Sequence, residues 1–478
     1  MLIYEDLGDR IDRAFDRVNR DERSFPRIAA DALREARIPE RSGADDVLDW
    51  LFAAPSIPAQ NDLAEAFGEP PITVYRSRDF HVEILFWLRN VTTIHTHGFS
   101  GAFQALAGDR LQTRHAFDER DRVNARLLFG DVRYLGAELI RPGDVWEITN
   151  DLAHALVHLE APSATIVVRT ASDPYAGPQY DYRAPSLAWD AFHLDELRAR
   201  KIQGLRLLCR LGRPVALDRA AEVVASSDLP TCVAVLDEIY RGFGSPDRFA
   251  KVLDVARDRH GERRVAEVMS VLREERRLRA VQSLRRFATT ADQRFFLALL
   301  HHVPTLDAMR PLVEARLATH LDVRRSKGKP RVANEKAKAP APELEPDPIL
   351  DALESLAASL TGVDRIGADL DDPFTRALFR SMLRAGTPEA IRRDLARTFD
   401  PSEIEARSEA IDRHADRLRG TVLAPLFRSS VDAHPRPRAA CAPPKSAAPR
   451  PQGGVPSMAS DRTAERPRTS SRRTKRPS

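Results

Sequence analysis

Apolar residues along this chain follow a helical period at both ends and a shorter one between. Residues 5–55 carry the helical spacing: Leu7, Ile11 and Phe15 fall four apart, Ser24 to Pro26 form a start signal, and Val47, Leu48, Leu51 and Phe52 mark a further amphipathic face. From Pro70 the texture becomes β-rich, in short runs at 72–75, 80–88, 102–106, 126–129, 145–149 and 165–169. Turn residues such as Gly98, Gly108, Gly130, Gly136 and Pro142-Gly143-Asp144 separate them. Many short strands at this spacing predict a barrel or sandwich.

After a Pro- and Tyr-rich stretch at 173–185 the helical period returns. Leu194, Leu197, Leu205 and Leu208, then Leu278, Val281 and Leu284, then Phe295, Phe296, Leu299 and Leu300 mark successive helices to about Leu317. No fixed repeat length is visible, which leaves a bundle and a solenoid both open. Residues 324–348 hold charge, Pro and Ala with almost no large apolar group and read as a linker. Helical spacing resumes at 349–427, where Phe374, Leu378 and Met382 repeat every four, and Thr387-Pro388 and Asp400-Pro401-Ser402-Glu403 are helix starts.

A length of 478 residues exceeds the roughly 250–300 at which one hydrophobic core splits. The expected organisation is multidomain α+β: a helical lead-in (1–65), a β-barrel (66–188), a helical domain (189–323), the linker (324–348), a C-terminal helical segment (349–428) and a disordered basic tail (429–478).

Charge changes the picture only at that tail. Residues 432–478 carry eleven Lys or Arg against three Asp or Glu, so within a formal net charge of +4 the rest of the chain stands at −4. A nucleic-acid or anionic-lipid partner is therefore expected only through the tail, in a salt-dependent way, and the tail has no aromatic residue to stack on bases. Cys209, Cys232 and Cys441 form no CxxC pair, which excludes a disulfide framework and a thiolate zinc site and fits a reducing cytoplasm. Glu5 and Asp6 stand where a secretion signal needs Lys or Arg, and no apolar run approaches the roughly 18 residues of a membrane span. A cytoplasmic protein without a membrane span is expected.

The candidate chemistry begins at Thr93-Ile94-His95-Thr96-His97-Gly98. In an extended strand, residues two apart share a face, so His95 and His97 present both imidazoles on one side and can converge on one metal ion. Alone, such a pair is more often a satisfied structural pair. The frame around it is more specific: Gly101 follows after three residues and Gly108 six residues later, and further on Pro142-Gly143-Asp144 precedes the apolar run 145–148 and His154.

This frame resembles the two motifs of the cupin superfamily, with Gly101 where cupins usually carry a glutamate ligand. The resemblance covers about 115 residues. It implies a jelly-roll barrel and a metal held by His95, His97 and His154, with His158 as the alternative third ligand. Loss of the glutamate resembles the cysteine dioxygenase branch, which implies Fe(II) and O2 insertion, while zinc or manganese are the other metals to consider.

Three neutral imidazoles leave a divalent ion its full charge and open positions, which favours a small, anionic substrate. Arg169, Tyr180 and Tyr182 are the candidates for holding it, because arginine grips a carboxylate or phosphate through two parallel hydrogen bonds. Gln104 falls on the opposite face from Phe103 and Ala105 and is expected to bond elsewhere. His81, His115, His193, His301 and His302 are expected to be structural. The competing expectation is a non-catalytic cupin-helical scaffold or binding protein, with the helical parts available for assembly into an oligomer.

Overall fold

The computed structural model describes residues 2–61, 63, 67–88, 91–190, 195–327, 347–360, 366, 368–384 and 387–428. Residues 328–346 of the expected linker (324–348), the tail from 429 onward, His193 and Leu194 lie outside the described residues, whereas residues 324–327 and Pro348 of that expected linker belong to helices. Three helices open the chain: α1 (Leu2–Asp16), α2 (Phe25–Ala36) and α3 (Ala44–Ala53). Helix α2 begins at Phe25-Pro26, where proline costs nothing because the first turn lacks N–H partners, and ends at Arg37 in the left-handed region (φ 46°).

Among the described residues eleven antiparallel strands follow: β1 (Pro71–Arg76), β2 (Phe80–Trp87), β3 (Ile94–His95), β4 (Gly101–Ala107), β5 (Arg110–Asn124), β6 (Leu127–Ile140), β7 (Val145–Ile148), β8 (Ala153–His158), β9 (Ser163–Thr170), β10 (Asp181–Arg183) and β11 (Leu187–Trp189). One sheet has five strands in the order β1-β2-β9-β4-β7. The other has the order β10-β11-β6-β5-β8-β3 and closes because β3 pairs back to β10.

The alternation of side chains in the five-stranded sheet separates two cores. Val82, Ile84, Phe86, Ala102, Ile166 and Val168 face the helices α1 to α3 and pack with Leu7, Ile11, Phe25 and Leu33. Their neighbours Leu85, Trp87, Phe103, Ala105 and Val167 point the other way and meet Ile140, Ile148 and Leu156 between the sheets. A strand covered on both faces is buried along its whole length, and every residue of β2 is buried, His81 and Glu83 included. Gln104 lies on the helix side, where its amide donates to the Gly143 carbonyl (3.0 Å) and docks the Pro142-Gly143-Asp144 turn.

Two features depart from the sequence pattern. The hairpin β5–β6 is far longer than the expected run at 126–129, because the outer half of β5, rich in Asp, Glu and Arg, carries no apolar alternation, while Leu127 to Gly130 of β6 opposite it are buried. The Pro- and Tyr-rich stretch contains β10, whose pairing comes from β3 and β11 rather than from local propensity.

The helical segments share cores with the strands. Helices α4 (Glu196–Arg210), α5 (Val215–Ser226), α6 (Leu229–Phe243), α7 (Ala250–His260) and α8 (Glu262–Leu284) pack on Leu127, Phe129, Leu187 and Trp189. The end of α8, with α9 (Ala291–His302), α10 (Leu306–Lys327), α11 (Pro348–Ser359), α12 (Pro373–Arg384), α13 (Pro388–Leu395), α14 (Pro401–Ala406) and α15 (Ser408–Arg419), packs on Leu111, Val157 and Leu159. Residues Met1–His434 accordingly form one compact unit. Thr387 caps α13 by accepting from the Ala390 N–H (3.3 Å). Among the described residues no helix is long and apolar enough to cross a membrane.

Buried neutral histidines make this fold acid-sensitive. Burial pushes His115 down to about 4 and His301 down to about 3, whereas in the unfolded chain both take up protons near 6.5. Because the unfolded state binds more protons in that window, stability is complete above about pH 6.5 and falls as the pH drops toward 4. Urea unfolding from pH 7 to pH 4 should show a falling midpoint, with a slope of up to about 1.4 kcal/mol per pH unit for each such histidine. His115→Gln should make the slope shallower; a flat profile would contradict the account.

Candidate metal centre

Strand β3 is only two residues long, and its neighbours fix where its one histidine points. His95 sits directly opposite His154 on β8 and opposite Asp181 on β10. Directly opposed residues on an antiparallel pair share a face with Cβ atoms roughly 4.5–5.5 Å apart, so the two rings project together. The chain stays extended beyond β3, because the Thr96 N–H donates to the Tyr180 carbonyl (3.0 Å) and the Tyr180 N–H to Thr96 Oγ1 (3.2 Å). His97 therefore returns to the face of His95.

The three rings form a compact triangle. Ring centroids lie 4.7 Å apart for His95 and His97, 5.1 Å for His95 and His154, and 5.0 Å for His97 and His154. One nitrogen from each ring lies within 4.8 Å of the others, and all three residues are buried. His95 Nδ1 bonds the Thr93 carbonyl (2.8 Å) and His154 Nδ1 bonds Gln112 Oε1 (3.0 Å). Both partners are acceptors, so each Nδ1 carries the proton and each Nε2 keeps a lone pair. His97 Nδ1 has no hydrogen-bond partner among the described residues.

Burial holds the pKa of all three rings below the ordinary histidine value, with His97 and His154 well below it and lowered further by the neighbouring His95. Neutral imidazoles with unshared lone pairs turned toward one another are the donor set that a divalent ion of the first transition row accepts. The residues present fit such an ion.

These rings face a cavity of about 40 Å³ between the two sheets. That is room for roughly three water molecules. Phe67, Trp87, Phe99 and Phe103 form the aromatic part of its wall, and Glu83, Arg169, Thr92 and Thr165 supply its polar side. Arg169 therefore does reach the cavity, with its guanidinium over the Phe99 ring at 5.0 Å from the centroid. Its charge is not free, because Nη2 lies 3.1 Å from Glu83 Oε2. Arg169 Nε donates to His81 Nε2 (2.7 Å), and burial, then the Arg169 charge, pushes His81 down to about 3.

The other expected contacts lie elsewhere. Tyr180 turns its hydroxyl to the Ala125 carbonyl, and Tyr182 packs against Phe117 with centroids 5.2 Å apart; neither lines this cavity. His158, four residues along β8 from His154, stacks on Trp87 (4.9 Å, 21°) and bonds Ser163 Oγ through Nδ1 (2.7 Å), outside the triangle.

Glu83 is the residue that the strand pattern should have exposed. It is a carboxylate inside an apolar strand, and a period of two places it and His81 on the inner face with Leu85 and Trp87. Gly101 has a steric reason to be glycine. A Cβ there would lie 1.9 Å from the Val168 carbonyl oxygen on β9, so the strands approach too closely for any side chain.

No family model and no curated protein matches the chain. Among solved structures it is similar to a hydroquinone 1,2-dioxygenase from Sphingomonas sp. TTNP3 with 4-hydroxybenzoate bound, at 12% identity and a TM-score of 0.19, covering 25% of this chain and 83% of that one. It is also similar to a structure described as DMSP lyases RdDddP and RnDddQII, at 15% identity and a TM-score of 0.18, covering 31% of this chain and 73% of that one. Likenesses this distant carry no weight for chemistry.

The close approach at Gly101 makes a clear prediction. Gly101→Ala should destabilise the fold by about 2 kcal/mol or more, because a backbone oxygen cannot turn aside as a flexible side chain can. Denaturant unfolding checks it; an unchanged midpoint would show that β4 and β9 can separate without cost.

Proposed function

We propose that this chain is a metal-dependent enzyme of the cupin type, with Fe(II) held by His95, His97 and His154 and a dioxygenase-like reaction on a small molecule in the cavity between the sheets. The observation that carries this reading is the triangle of buried, neutral imidazoles around one point. Bound there, Fe(II) would supply open coordination positions for a substrate and O2.

The chain's own residues supply orientation and dryness. Thr93 and Gln112 set the tautomer and tilt of His95 and His154. Phe67, Trp87, Phe99 and Phe103 exclude water and limit the substrate to a compact molecule. An anion is the favoured class, because three neutral ligands leave the ion's double charge uncompensated. Of the three residues expected to hold substrate, Arg169 is the one that lines this cavity. Since Glu83 offsets its charge, Arg169 contributes directed N–H donors rather than net attraction.

Elemental analysis of the purified full-length chain should find one transition metal per chain, iron rather than zinc or manganese. His95→Ala should lose that metal while circular dichroism stays native. Iron-loaded protein supplied with metabolite extract should consume O2 where apo protein does not. A natively folded, metal-free protein would overturn the enzyme reading and favour a binding or scaffold role for the barrel and its helices.

A further inference from the structure

The cavity beside the three histidines, about 40 Å³, is small for the ligands that its donor set invites. Room for roughly three water molecules does not hold an organic substrate and O2 together, so part of the wall must move when they enter.

Close packing decides which part. Protein interiors are packed as densely as organic crystals, so a side chain enclosed on all sides has nowhere to swing, whereas one with solvent behind it has. Among the described residues that line the cavity, all are buried except Phe67, Phe99 and Arg169. These three form its mouth.

Two of the three are fixed. Arg169 stands opposite His81 in the ladder between β9 and β2; its Nε donates to His81 Nε2 (2.7 Å) and its Nη2 lies 3.1 Å from Glu83 Oε2. Glu83 in turn accepts from the Asn61 side-chain amide and from the Thr73 hydroxyl (3.5 Å). If the guanidinium swung out, a buried carboxylate would lose its charge partner, a heavy cost in a low-dielectric wall. Phe99 is enclosed between that guanidinium, 5.0 Å from its ring centroid, and the His97 ring, also at 5.0 Å.

Phe67 differs from both. It is 45% exposed, yet its ring meets Trp87 edge-on (5.2 Å, 89°) and reaches His95 (6.4 Å, 77°), so one side faces the site and the other faces water. The chain is tied to β2 just beyond it: the Glu69 N–H donates to the Phe86 carbonyl (2.8 Å), the Phe86 N–H to the Pro70 carbonyl (3.2 Å), and the Leu88 N–H to Glu69 Oε2 (2.8 Å). Gly68, at φ 106°, supplies the turn between that anchor and Phe67, a conformation that glycine adopts without strain. Edge-to-face ring contacts are individually weak, and an entering ligand can replace them.

We propose that Phe67 is the specificity-determining residue of this cavity: a ligand reaches the three histidines by displacing its ring, past a fixed opposite side made by Arg169 and Phe99, and the ring sets the largest ligand admitted. The proposal rests on the enzyme reading only in taking the histidine triangle as the place that a ligand must reach.

The test is acylation by diethylpyrocarbonate, which attacks neutral imidazole nitrogens that it can reach, followed by mass mapping of each histidine-bearing peptide. The full-length chain is first dialysed against a chelator, which frees the ring nitrogens whether or not a metal had held them. The unaltered chain should react slowly at His95, His97 and His154. Phe67→Ala should raise that rate about tenfold, because the ring contacts that keep the mouth closed are gone. Phe67→Trp, with a larger ring at the same place, should lower it. Val167→Ala, which enlarges the cavity behind its buried wall, should leave it unchanged, and buried His302 should stay unreactive in every variant.

A Phe67→Ala chain that reacts no faster would place the entrance elsewhere and overturn the proposal. Equal acceleration by Val167→Ala, or acceleration that extends to His302, would show that general loosening admits the reagent and would overturn it too. A chain that binds no iron would sink the enzyme reading and leave this result standing, since the readout needs neither metal nor turnover.

Discussion

The pairing of His95 with His154 across two antiparallel strands is the constraint on which the centre depends. Strand β3 has two residues, so a slip of one register position would turn His95, and His97 with it, to the opposite face and leave His154 alone. The register is held from outside the strand. The Thr92 N–H donates to the Leu156 carbonyl (3.0 Å) and the Leu156 N–H donates to Thr92 Oγ1 (2.7 Å), while Thr96 and Tyr180 lock the other end. These bonds bracket the short strand on both sides of His95.

The surroundings serve that register in two ways. Helices α1 to α3 cover the outer face of the five-stranded sheet, so its inner face can carry a polar site without exposing the sheet to water. Inside, Glu83 pairs with Arg169 beside the rings, and the Arg169 charge adds to burial in holding His97 below its ordinary value. Two aromatic contacts, Phe67 at 6.4 Å from His95 and Phe103 at 5.8 Å from His154, complete a low-dielectric wall.

Much of this was legible in the residues themselves. The change of period at Pro70 and after 185 marked the β region, since period two and period 3.6 are different physical signals. His95 and His97 were readable because two-residue spacing on a strand fixes a common face, and the triangle includes His154 rather than His158. The length of the hairpin β5–β6 was not readable, because the outer half of β5, where charged residues crowd, lacks the apolar alternation by which strands are recognised. Glu83 went unread because a strand buried on both faces hides which side is which. Tyr180 and Tyr182 were placed by residue type alone; the Tyr180 N–H bonds Thr96 just beyond β3, and Tyr182 packs on Phe117 of β5. The sharing of cores between strands and helices depends on long-range contacts that no local pattern encodes.

X-ray absorption at the edge of the metal carried by the native, full-length protein tests the central claim most directly. The account predicts three imidazole nitrogens at roughly 2.0–2.2 Å, with the outer-shell scattering that intact rings give and the remaining positions filled by oxygen. A first shell of oxygen alone, or one containing sulfur, would contradict it.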